Sequence, residues 1–161
     1  MMKLVSLFSA GLMLCTVSAM AQPASGTSAD TNMEILKEKL KADKKLLVAS
    51  NMDLSDAEAK KFWPIYDSYQ MDLNQVNQKI GQTIREYAES YNKGPIPDGT
   101  AKKLLGEVIS AEEQEVKLKK SYTERLQKVL PATKVARYIQ IENKIRALIK
   151  MELAQQIPLV Y

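Results

Sequence analysis

The chain of 161 residues carries 23 Lys and Arg against 19 Asp and Glu, a formal net charge of +4 interleaved along its whole length, with no histidine and a single cysteine. So small and diffuse a surplus excludes the concentrated basic footprint of a nucleic-acid binder. The missing histidine, together with the lack of any Gly-rich phosphate loop or nucleophile elbow, argues against an enzyme and against a nucleotide cofactor.

Residues 1–21 read MMKLVSLFSAGLMLCTVSAMA, with a basic head at Lys3, an apolar run from Leu4 to Val17, and Ala19-Met20-Ala21 as a small-x-small site. This pattern predicts a secretory signal peptide cleaved after Ala21 and, in a Gram-negative cell, a periplasmic product. Cys15 leaves with it, and Leu14 is not the small residue that a lipid-anchoring site needs before its cysteine. Loss of Lys3 lowers the net charge to +3. No later stretch approaches the roughly 18 to 20 apolar residues that span a bilayer, so no transmembrane segment is expected in the mature chain. Residues 22–30, QPASGTSAD, have nothing to bury and are expected to form a disordered leader. The remainder, 31–161, suits a single helical domain.

A first helix is expected from Thr31 to Ala49, with a stripe of Ile35, Leu36, Leu40, Leu46 and Leu47. The second begins in LSDAEAKKFWP, residues 54–64, where Ser55 and Glu58 form an S-x-x-E capping box and Leu54 is a staple candidate. From there Phe62, Tyr66, Tyr69, Leu73, Val76 and Ile80 recur at spacings of 4, 3, 4, 3 and 4, and Ile84, Tyr87 and Tyr91 continue at 4, 3 and 4. Two fours in succession put a stutter at Ile80. Pro64 deprives the Lys60 carbonyl of its helical partner, so a bend is expected over 60–64 that turns Phe62 or Trp63 toward the 130s.

The breaker NKGPIPDG, residues 92–99, ends this helix. Asp98 is expected to cap a third helix over 99–129, with the stripe Leu104, Val108, Ala111, Leu118, Tyr122 and Val129. Glu115 and Arg125 fall on the same stripe, so one edge of it must be wet, paired or covered. The fourth helix follows Pro131 and stops before Pro158, with Val135, Tyr138, Ile141, Ile145, Leu148 and Ile149 on its apolar face. The apolar stretch 157–161 is expected to lie against the body. No strand pattern competes, and the fold class is all-α.

Residues 130–139, LPATKVARYI, repeat the physical pattern of LSDAEAKKFW at an offset of 76. Leu130 stands for Leu54, Arg137 for Lys61, Tyr138 for Phe62 and Ile139 for Trp63, while Pro131 and Ser55 are both favoured at helix starts. Two such starts in a secreted, cysteine-free helical chain resemble the Spy/CpxP family, whose signature is a twice-repeated LTxxQ. The first copy here is Leu54-Ser55-Asp56-Ala57-Glu58; the second, Leu130-Pro131-Ala132-Thr133-Lys134, departs from the signature by its Pro and Lys. The resemblance implies four helices, a long antiparallel helical hairpin with flanking shorter helices, paired into a cradle-like homodimer. It also implies an ATP-independent chaperone of unfolded envelope proteins, or a stress modulator that docks on a sensor-kinase ectodomain. Some relatives bind zinc, nickel or cobalt. A structural helical adaptor without chaperone activity is the remaining alternative.

The carboxylate pairs Glu112 with Glu115 and Glu142 with Glu152 read as ion-paired or solvated helix faces rather than acid–base dyads. An oxygen-only metal site of Asp and Glu stays open, whereas the dispersed methionines read as core filler. Tyr66, Tyr69, Tyr87 and Tyr91 admit two readings: a helical core with hydroxyls at its edge, or an amphipathic surface whose rings bury polypeptide side chains beside basic groups.

Overall fold

The capping box expected at Ser55 forms in the computed structural model, which describes residues 42–160: Ser55 Oγ accepts from Glu58 N, and the Glu58 carboxylate accepts from Ser55 N. The expected signal peptide, leader and start of the first helix, residues 1–41, lie outside the described residues. Among the described residues the structure is helical throughout, with no strand. Helix α1 covers 42–52 and ends on Asp53, whose φ of 47° is the left-handed stop that a short polar residue tolerates. Its buried face corrects the expected one. Val48 and Met52 are fully buried, while Leu46 and Leu47 remain 69% and 46% exposed. The helix runs on past Ala49, and the pair one turn apart, Val48 and Met52, is the one turned to the core.

Helix α2, Asp56–Tyr91, has 36 residues and continues through Pro64 without a break. At 1.5 Å per residue it is about 54 Å long. Both Pro64 and Lys60 lie on its exposed side, where water can satisfy the carbonyl that the proline leaves unpaired. The buried residues Phe62, Tyr66, Tyr69, Leu73, Val76 and Thr83 keep strict heptad register. Ile84, expected on the stripe, is displaced from it: the seam passes from Val76 to Thr83, and Ile84 lies one residue, about 100°, further round. The stutter therefore separates the second half of the apolar stripe from the buried seam.

Helix α3, Asp98–Gln127, is capped by Pro97 with no side-chain bond; Asp98 is its first residue rather than its cap, and acts as an acidic group in the first turn. A carboxylate there still interacts favourably with the helix dipole. Leu104, Ala111, Glu115, Tyr122 and Leu126 are its buried residues, so Leu126 is an addition to the expected stripe and Val108, 40% exposed, falls outside the core. Helix α4, Ala132–Gln156, buries Val135, Tyr138 and Glu142. Leu148 and Ile149, expected on the same face, are 64% and 46% exposed.

Contacts between α2 and α3 join Glu86 to Lys103, Thr83 to Glu107, Lys79 to Gln114 and Asp72 to Tyr122, the numbers falling along α2 as they rise along α3. Those between α2 and α4 rise together: Glu58 with Lys134, Phe62 with Tyr138, Gln70 with Glu142 and Asn77 with Arg146. The hydrophobic core gathers where all four helices meet, around Met52, Phe62, Tyr69, Leu126, Leu130 and Tyr138. Beyond Val76 the packing thins, and aliphatic side chains of α3 and α4 face outward.

Candidate polypeptide-binding groove

The two repeated helix starts meet each other. Glu58 and Lys134, at equivalent places in the two copies, form an ion pair at 2.7 Å, and Lys134 Nζ also donates to the Asp53 carbonyl at 2.7 Å. Phe62 and Tyr138, likewise equivalent, stack edge-to-face with centroids 5.2 Å apart. Leu54 and Leu130 belong to the same cluster. Equivalent residues touch one another only near an axis of two-fold relation, so the joint reads as two copies of one helix start packed about such an axis. The Lys in the second copy and the Glu in the first neutralise each other. Hydrogen bonds from Lys134 and from the Ser55 backbone hold the Glu58 carboxyl down at about 2. Trp63 packs on Phe62 at 4.9 Å, and the Lys45 ammonium lies 5.2 Å from its ring centre.

Of the four candidate tyrosines, the structure puts two in the core. Tyr66 and Tyr69 are 3% and 2% exposed, and burial pushes both phenols well up. Tyr138 is raised by the same cause. Tyr87 and Tyr91 are half-buried at the opposite end of α2, their rings 5.9 Å apart.

Between these ends runs a row of buried polar pairs. Glu142, 4% exposed, accepts from Lys44 at 2.8 Å and from Gln70 at 2.9 Å, and Gln70 also donates to Tyr138. One turn further along α4, Arg146 grips Glu115 through two nitrogens and donates to Asn77 at 2.7 Å. Glu112 pairs with Lys150, and Glu152 bonds Gln156. The two carboxylate pairs weighed as dyads are thus split among different partners, and among the described residues no buried polar side-chain atom lacks a hydrogen bond. Among the described residues no group of three or more acidic side chains gathers in a way that could hold a metal ion.

The far end opens into a groove. One part, about 250 Å³, is walled by Ile84 and Tyr87 of α2, Ile96 of the connection, and Leu105 and Val108 of α3. A second part, about 570 Å³, shares Ile84 and Val108 with it and extends beneath Ile149 and Leu153 of α4. Apart from Thr83, Asn77, the Tyr87 hydroxyl and the paired Glu112, Arg146 and Lys150, the walls are carbon. Thr83 is itself satisfied by the Lys79 carbonyl and Glu107, both at 3.1 Å. Ile157 and Val160, from the segment after α4, close one side. Sequence reasoning located Tyr87 and Tyr91 but not this groove, although the stutter was its signal: an apolar stripe that leaves the seam must face something other than the partner helix.

No helix among the described residues is long and apolar enough to cross a membrane. Comparison of the chain with known protein families, curated proteins and solved structures found no match.

Proposed function

We propose that this protein is a non-enzymatic, ATP-independent binder of unfolded or partner polypeptide in the bacterial envelope, acting after export to the periplasm. The observation that carries the reading is the uncovered aliphatic surface of the far half: the groove, on whose walls Leu105, Val108 and Ile149 stay 62%, 40% and 46% exposed. Scattered exposed apolar residues are ordinary, but a concave set on one end of a helical body fits transient capture of apolar segments.

The export pattern of residues 1–21 and the resemblance of the two helix starts to the Spy/CpxP signature support the same reading. In it, α2 and α3 are the long antiparallel hairpin, α1 and α4 flank it, and two copies pair into a cradle. Suppression of aggregation tests it. Several unrelated unfolded clients should be protected at near-stoichiometric ratios without nucleotide; a chain that protects none of them is not a chaperone.

A further inference from the structure

The groove is not empty of protein. Helix α4 ends at Gln156, and Ile157 leaves it in an extended conformation, φ −90° and ψ 113°. Ile157 and Val160, three residues apart, turn into the groove beside Ile84, Ile96 and Leu105, whereas Leu159 between them is 89% exposed. Among the described residues, 158–160 make one hydrogen bond, from Tyr87 Oη to the Pro158 carbonyl at 2.8 Å. Pro158 has no N–H that would need a partner in an aliphatic wall. Seating is shallow, since Val160 remains 59% exposed.

We infer that the groove is a receptor for short, extended, aliphatic peptide segments, and that 157–160 is its resident occupant, which an incoming segment must displace. The inference rests on the polypeptide-binding reading above and names its substrate class. The walls offer aliphatic carbon, polar side chains already paired with one another, and the Tyr87 hydroxyl, whose one partner is the resident's own Pro158 carbonyl. A matching segment therefore presents apolar side chains at i and i+3, carries proline or a solvent-facing N–H between them, and gives one carbonyl to Tyr87. Long aromatic or charged segments do not meet these terms. A resident held by one hydrogen bond, the half-buried Ile157 and the mostly exposed Val160 leaves readily, which suits reversible capture. It covers part of the aliphatic wall when no client is present and leaves Leu105 exposed for first contact.

The test uses a fluorescently labelled peptide of sequence QQIPLV, residues 155–160, and its scrambled counterpart with Asp at the Ile and Val places. If the resident occupies the groove roughly nine-tenths of the time, its removal raises apparent affinity about ten-fold. A chain ending at Gln156 should therefore bind the labelled peptide about ten-fold tighter than the full chain, and should not bind the Asp-bearing peptide. Tyr87→Phe, which removes only the hydrogen bond, loses the tie to the resident and to the labelled peptide alike; its affinity for the peptide should change by less than about three-fold. Equal affinity in the full and shortened chains, with helix content unchanged by circular dichroism, overturns the resident. Failure of both chains to bind the peptide overturns the receptor. Client protection measured on the full chain is a separate readout: protection without peptide binding sinks this inference alone, and peptide binding without protection sinks the chaperone reading alone.

Discussion

Glu58 shows how a single residue serves three structures at once: it closes the α2 capping box, pairs with Lys134 of α4, and through Lys134 reaches the last turn of α1 at Asp53. Its carboxyl is depressed from 4.5 to about 2, so the ionised form is the one the fold favours. That stabilisation is present above the unfolded value of about 4.5 and is lost as pH falls toward about 2. The melting temperature of E58Q should accordingly lie below that of the parent at neutral pH, and the gap should close between pH 4.5 and 2. A gap independent of pH would assign the loss to packing. Phe62, fully buried against Tyr138, predicts a different signature: F62A should cost about 3–5 kcal/mol in urea denaturation, at any pH. Both residues were legible in the sequence, because a capping box and an aromatic at fixed distance from it are local signals. Their pairing with Lys134 and Tyr138 was foreshadowed by the offset repeat, whereas Gln70 and Lys44, partners of the buried Glu142, left no local trace.

At the scale of the element, α2 carries two departures from an ideal helix, and they act differently. Pro64 costs backbone bonding yet sits on the wet side, so P64A should raise stability by about 1–3 kcal/mol without disturbing the core. A loss on that substitution would mean that the proline sets the path of the helix into the joint. The stutter at Ile80 changes what the helix faces rather than how well it forms. Helix starts and ends could be read from caps and breakers, but the face each helix buries depends on its neighbour, and this is why Val48, Met52, Thr83 and Leu126 were found only in three dimensions. The ion pair of Arg146 with Glu115 belongs to the same level, locking α4 to α3 beside Asn77 of α2. Its side chains are only 15% and 8% exposed, so R146L should cost about 3–5 kcal/mol by stranding the carboxylate. The double variant R146L/E115L should recover most of that loss, and failure to recover would show that the pair contributes more than mutual neutralisation.

Across the whole molecule, packing and exposure are divided along the length. The aromatic core lies where the four helices meet, and the aliphatic groove lies at the end where α2 and α3 are joined by 92–97. Leu105, 62% exposed on the groove wall, tests this division: L105D should leave unfolding free energy within about 0.5 kcal/mol of the parent and weaken client affinity about ten-fold. Equal loss of both would join the two ends into one cooperative unit. Because α2 runs unbroken through both regions, one helix has a well-anchored half and a thinly anchored half. Amide exchange along it should grade accordingly, slow from Phe62 to Val76 and faster beyond Ile84. A body built this way can tolerate sequence drift at its open end while the closed end bears the cost of staying folded, so new binding preferences are within reach of single substitutions.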